Sequence, residues 1–208
     1  MRFFPFVLAL MFPLLAVVAS GALAQQGPAP AQIGDDAAPP AAGDTKTAPE
    51  PTLDELFARL KRETKPVIAR RTAQQIVTKL NDSGSATVNM LMGRAATAMS
   101  AEKNALAEDM LTQVIVLAPD FAEGWNRRAT LKYAKGDIGE SLSDIQKVLA
   151  IEPRHFGALS GLAAILQKTG KDRKALEVWY RLLAVYPALR EAQEAVSELE
   201  EKLAGERA

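Results

Sequence analysis

Chemistry that needs a thiol or a pair of imidazoles is closed to this chain, which has no cysteine and a single histidine, His155. A two-histidine zinc site or an HExxH helix requires a second imidazole. Without cysteine there is no thiolate nucleophile, no thiolate metal site and no disulfide framework. A Ser-His-Asp triad would have to be built on His155, and no GxSxG sequence is present to lift a serine onto a strand-to-helix elbow. The string KTGKD, Lys168 to Asp172, approaches a phosphate-cradling loop. Such a loop needs a glycine five residues before its second one, and position 165 is Ile. The paired carboxylates that remain, Glu191, Glu194, Glu198, Glu200 and Glu201, lie on one face of a terminal helix with no cleft beside them. No catalytic residue, cofactor or metal is expected. The chain reads as a non-enzyme, and the question becomes what it binds.

The N-terminus addresses the compartment. Arg2 is the one charge among the first 24 residues and is followed by an apolar run, FFPFVLALMFPLLAVVAS, and then GALA. A short positive region, an apolar region and an Ala-x-Ala site at Ala22 to Ala24 have the order of a secretory signal peptide cleaved between Ala24 and Gln25. The expected location is the periplasm. The alternative is a retained anchor, since Phe3 to Ala19 is just long enough to span a thin bilayer. After cleavage no stable membrane insertion is expected. Acidic and basic residues balance, 25 against 25, which gives no support to a nucleic-acid binder or a general binder of anionic membranes.

Residues 25–51 carry six of the twelve prolines, many alanines and almost no large apolar side chain. Such a segment cannot bury enough surface to offset its ordering entropy, so it reads as a disordered linker. From Thr52 the pattern becomes helical. Leu53, Leu56, Phe57 and Leu60 recur at i, i+3, i+4 and i+7 behind Thr52 as N-cap. Pro66 fits the first position of a second helix, where its missing N–H costs nothing. Ala69, Ala73, Ile76, Val77 and Leu80 line that helix, and NDSG, Asn81 to Gly84, ends it. No strand-like alternation of useful length occurs, so the ordered region, 52–208, is all-α.

An internal period organises the rest. Pro119, Pro153 and Pro187 are 34 residues apart, and each ends an aliphatic run: VIVLAP, VLAIEP, LLAVYP. Three units follow, 88–121, 122–155 and 156–189, and a last helix near 188–204 presents Leu189, Ala192, Val196, Leu199 and Leu203 as the stripe of a cap. Small residues at the eighth and twentieth places (Ala95, Ala129, Ala163; Ala107, Ser141, Ala175) let the two helices of a hairpin approach closely. The period, the closing prolines and these small residues resemble the tetratricopeptide repeat family. The resemblance implies a right-handed superhelix of antiparallel helical hairpins. The second unit departs from the family pattern, with Arg128 at place seven and Lys132 at place eleven; Arg128 is expected to reach Asp144 on the partner helix. The stretches SGSATVNMLMGRA, LAPDFAEGWNRRATL and IEPRHFGALSGLAAI are similar to those of exported tetratricopeptide proteins of the alphaproteobacterial type. That similarity implies a periplasmic protein without assigned catalysis and names no partner.

In that family frame the first helix of each hairpin lines a concave face. The expected protein-binding groove comprises Asn89, Met92, Met99, Glu123, Asn126, Arg127, Thr130, Tyr133, Ser160 and Gln167, with Ala96, Gly157 and Ala164 between them. The set is small, polar and partly methionine-lined, suited to an extended peptide. Asn126 and Arg127 echo in part the Lys/Asn/Arg clamp that some family members use for a terminal carboxylate. The preferred reading is a periplasmic adaptor holding an unidentified protein or peptide; the alternative is an accessory or regulatory subunit of a cell-wall enzyme. The pair of helices from Thr52 to Leu80 reads as a divergent repeat or as the opposite cap. It is basic where the last helix is acidic, an asymmetry that allows weak head-to-tail self-association.

Overall fold

The structure, a computed structural model, describes residues 50–205; the leader and nearly all of the Pro/Ala-rich linker lie outside the described residues. Nine helices and no strand occur among them: α1 (Leu53–Arg62), α2 (Pro66–Leu80), α3 (Ala86–Ser100), α4 (Asn104–Leu117), α5 (Ala122–Lys135), α6 (Ile138–Ile151), α7 (Phe156–Lys168), α8 (Asp172–Val185) and α9 (Arg190–Gly205). None of these helices is long and apolar enough to cross a membrane.

Local chemistry sets the helix ends. Thr52 and Glu55 form a capping box, in which Glu55 N–H donates to Thr52 Oγ1 at 3.3 Å and Thr52 N–H donates to Glu55 Oε2 at 2.8 Å. Pro66 takes the start of α2. The turns inside the hairpins share one geometry. Gly136 and Gly170 follow α5 and α7 with φ of +88° and +70°, and one period earlier the same place is held by Glu102 at +55°. After each, an N–H reaches back five residues: Lys103 to Ala98, Asp137 to Lys132 and Lys171 to Leu166, at 2.8–2.9 Å. This is the Schellman closure, which favours glycine at the left-handed residue. The first turn has a side chain where the other two have none.

Helices α3–α4, α5–α6 and α7–α8 form three antiparallel hairpins, and α4 packs on α5, α6 on α7 and α8 on α9. The six small residues of the eighth and twentieth places are buried. Ser141 keeps its hydroxyl satisfied there by donating to the Ala129 carbonyl at 2.8 Å. The carbonyl of Pro119 accepts from Trp125 Nε1 at 2.8 Å, and that of Pro187 accepts from Gln193 Nε2 at 2.7 Å. The prolines therefore break the helix and also offer a free carbonyl that fixes the next one. In the second hairpin, Asp144 is buried beneath Arg128 and Lys132. Arg128 Nε and Nη2 both donate at 2.8 Å to its two oxygens, and Lys132 Nζ lies 3.2 Å away.

The first helical pair departs from both sequence readings. The hairpin α1–α2 neither extends the stack ahead of α3 nor caps it there. Leu56, Phe57, Leu60, Ala69, Ala73 and Ile76 share one apolar cluster with Leu159, Ala163, Trp179, Leu182, Tyr186, Ala192 and Val196 of α7, α8, the α8–α9 connection and α9. Polar contacts fix the arrangement. Arg154, in the α6–α7 connection, pairs with Asp54 at 2.8 Å and lies 4.3 Å over the Phe57 ring. At the far end of α2, Asn81 Oδ1 accepts from Arg127 Nη2 at 2.8 Å.

Candidate protein-binding groove

The groove positions of α3, α5 and α7 divide into an engaged half and an open half. Near the helix N-termini they are tied to the chain itself. Asn89 Oδ1 accepts from the Ser83 hydroxyl and N–H at 2.7 and 3.0 Å, and its amide donates to Asp82 at 2.8 Å. Glu123 is buried and stands at the centre of a polar network. Its Oε1 accepts from Arg127 Nε at 2.8 Å, and its Oε2 accepts from Asn126 Nδ2 at 3.0 Å. His155 Nε2 lies 3.2 Å from the same Oε2.

The tautomer of His155 follows from its other nitrogen. Nδ1 accepts the Ala158 N–H at 3.1 Å as the N-cap of α7, so the proton sits on Nε2 and is donated to Glu123. Burial pushes the Glu123 carboxyl up, but its bonds to His155 and Arg127 outweigh burial and hold it below the usual range. The one histidine thus joins two hairpins. Sequence reasoning did not pair His155 with Glu123, 32 residues away, nor Asn81 with Arg127. The i, i+4 spacing of Glu123 and Arg127 was the available signal.

Asn126 and Arg127 are therefore occupied with Glu123 and Asn81 rather than presented as a carboxylate clamp. Met92 is buried in the α3–α4 cluster and serves that core. Toward the helix C-termini the groove stays open. Ala96, Met99, Tyr133, Ser160 and Gln167 are half-buried, and Thr130 and Ala164 are exposed. Thr130 donates its hydroxyl to the Asn126 carbonyl of its own helix at 3.0 Å. The Lys168 ammonium lies 5.0 Å from the Tyr133 ring centroid, bridging α5 and α7. Gln167 accepts from Trp179 Nε1 at 2.9 Å, which fixes its side chain. Small, hydroxylic and aromatic side chains of α3, α5 and α7 make up this half of the groove.

A curated TPR repeat-containing protein of Rhizobium etli is 53% identical to this chain over 161 residues, covering 77% of this chain and 79% of the relative. The chain belongs to the tetratricopeptide repeat family. No protein-family model matches it. Solved structures agree on the fold at much lower identity. The Sgt2 TPR domain from Aspergillus fumigatus superposes with a TM-score of 0.54 at 17% identity, covering 60% of this chain and 84% of that one. The first TPR of Spaghetti (RPAP3), solved bound to the HSP90 peptide SRMEEVD, gives 0.53 at 19% identity, covering 57% and 96%. MamA gives 0.51 at 16% identity, covering 72% and 79%. The fold is thus a tetratricopeptide superhelix, and a fold of this kind suggests a protein–protein interaction module.

Proposed function

We propose that this tetratricopeptide protein is a non-enzymatic periplasmic adaptor that holds a protein or peptide segment in the open half of its concave groove. The observation that carries the reading is the division of the groove. Positions near the α5 N-terminus are consumed by internal bonds, whereas farther along the three hairpins Thr130 and Ala164 are exposed and Met99, Tyr133 and Gln167 are half-buried. The HSP90 peptide bound to the RPAP3 repeat supports the capacity of such a stack to take a peptide ligand. The periplasmic assignment rests on the order of charged, apolar and small residues at the N-terminus.

Crosslinking of the protein in its native envelope, followed by mass spectrometry, identifies what is captured. The variant Tyr133→Ala with Thr130→Lys should then abolish capture of that partner while leaving the helical signal and thermal midpoint near the parent's. A second reading, an accessory subunit of a cell-wall enzyme engaged through α1–α2 or the convex face, has its own support in the exposed Val67, Ile68 and Val116. Capture that survives the groove variant and is lost with Val67→Glu would favour that second reading and refute the first.

A further inference from the structure

The 34-residue period makes each junction between hairpins a control for the others. Two places on the first helix of a hairpin meet the hairpin before it. In α5 these are Gly124 and Leu131. A Cβ added to Gly124 would lie 2.7 Å from Val114 Cγ1 of α4, and Leu131 packs in the α3–α4 cluster. In α7 they are Ala158 and Ile165, 1% and 2% exposed within the α5–α6 cluster. In α3 the same places are Met90, 47% exposed, and Thr97, also exposed. The second helix shows the same loss of cover. Met110 of α4 is half-buried where Asp144 and Val178, one and two periods on, are buried. Leu106, one turn before it, is 46% exposed; Glu140 and Lys174 at the same place are exposed too, but are charged where Leu106 is apolar. The α3–α4 hairpin thus carries a seat for a preceding helix that no helix among the described residues occupies. Helix α2, which precedes α3 in the chain, has its buried residues Ala69, Ala73 and Ile76 in the cluster with α7–α9.

We infer that a second copy of this chain covers the α3–α4 face, forming a two-fold dimer in which the two leading hairpins pack on one another. Charge decides between a second copy in this arrangement and a head-to-tail stack. The trailing end is closed by α9, whose exposed residues include Glu191, Glu194, Glu198 and Glu201. Setting that face against Met90 and Leu106 would strand carboxylates on an apolar surface. The exposed charges of the α3–α4 hairpin, Arg94, Glu102, Lys103 and Asp109, are two of each sign, so its leading face can meet its own image with little net repulsion. A two-fold contact uses the same patch on both partners and closes at two copies. Two helices of 15 and 14 residues present a face of roughly 20 by 20 Å. That is about 400 Å² per partner, below the size of standard stable interfaces, so a weak dimer in the high micromolar range is expected. The inference does not rest on the groove reading, since Tyr133 and Gln167 lie on other hairpins.

Sedimentation velocity of the full chain, at concentrations bracketing the high micromolar range and in low and high salt, tests it. The expected result is a monomer–dimer equilibrium that salt does not weaken. Met90→Glu and Leu106→Glu should each raise the dimer dissociation constant by at least about tenfold, about 1.4 kcal/mol. Because both side chains are already exposed, the helical signal and thermal midpoint should stay unchanged. Glu194→Lys with Glu198→Lys should leave the equilibrium as it is. A chain that stays monomeric throughout overturns the proposal. So does a dimer indifferent to Met90→Glu and Leu106→Glu, or one lost in salt and with the α9 reversals.

Discussion

Replacing Arg128 by leucine tests whether the atypical second hairpin is stabilised by its buried ion cluster. Asp144 is 2% exposed and takes three contacts, two from Arg128 at 2.8 Å and one from Lys132 at 3.2 Å. Arg128→Leu leaves it with Lys132, which also serves Glu140 at 2.9 Å. Breaking a buried pair by removing one partner costs about 3–5 kcal/mol. Arg128 is itself partly exposed and stacks 5.0 Å from the Trp125 ring, and one cation remains on Asp144, so about 2 kcal/mol is the apt scale here. The leucine recovers up to about 1 kcal/mol by covering the Trp125 and Thr112 surface. The net loss is about 1–2 kcal/mol, a fall in thermal midpoint of roughly 2–8 °C for a domain of this size. Differential scanning calorimetry on Arg128→Leu, Asp144→Leu and the double variant completes a cycle. The double variant should be more stable than either single one, because no buried charge is stranded. If Arg128→Leu melts at or above the parent temperature, the stabilising role assigned to the pair is wrong.

Three further outcomes follow from other contacts. Glu102→Gly should raise the chemical-denaturation midpoint, because the left-handed φ of +55° costs a side-chain-bearing residue about 1 kcal/mol; glycine's larger unfolded-state entropy returns part of it. Glu123 has its carboxyl depressed in the folded state, so its contribution is fully present above the unfolded carboxylate range and disappears as pH falls through the lower folded value. Urea unfolding followed from about pH 6 downward should therefore show falling stability, and Glu123→Gln should flatten that slope. Phe57→Ala removes a ring that is buried against α7–α9 and lies beneath Arg154; a loss of about 3–5 kcal/mol is expected in the same assay. A loss under about 1 kcal/mol would mean that α1 is not docked as described.

The repeat was legible because its cause is local. A proline cannot continue a helix, and a small residue must stand where two helices touch, so both recur at the period whatever the surroundings. The sites of Ala95, Ala129 and Ala163 were readable for the same reason, as was the approach of Arg128 to Asp144 within one hairpin. The site was less legible. The concave positions follow from the period, but whether each is free depends on contacts between residues far apart in sequence. Glu123 was placed in the groove and is buried because His155 and Arg127 take its oxygens. Met92 was placed there and lies in the core. Nothing in a one-dimensional pattern separates a polar residue that faces solvent from one that meets another hairpin.

The docking of α1–α2 shows the same limit and sets both proposed surfaces. Its apolar faces were readable, since Leu56, Phe57 and Leu60 fit one helical stripe and Ala69, Ala73 and Ile76 another. Burial of such stripes is non-directional, so the stripes alone did not say whether the hairpin would sit ahead of α3 or on α7–α9. Directional groups favour the second. Asp54 meets Arg154 and Asn81 meets Arg127, and neither contact is available to a hairpin stacked in front of α3. Charge favours the same choice. Thr52 to Leu80 holds seven basic and three acidic residues, and its cluster includes α9, whose solvent side is glutamate-rich. The opposite signs that allowed head-to-tail association are thereby brought together within one molecule. Two consequences follow from this single packing choice. Arg127, in the engaged half of the groove, is spent on Asn81, which confines a ligand to the strip through Thr130 and Tyr133. The α3–α4 face lacks the helix that covers the Met90 place in the later hairpins, so the surface available for self-association is the apolar, charge-balanced end of the stack rather than the acidic one.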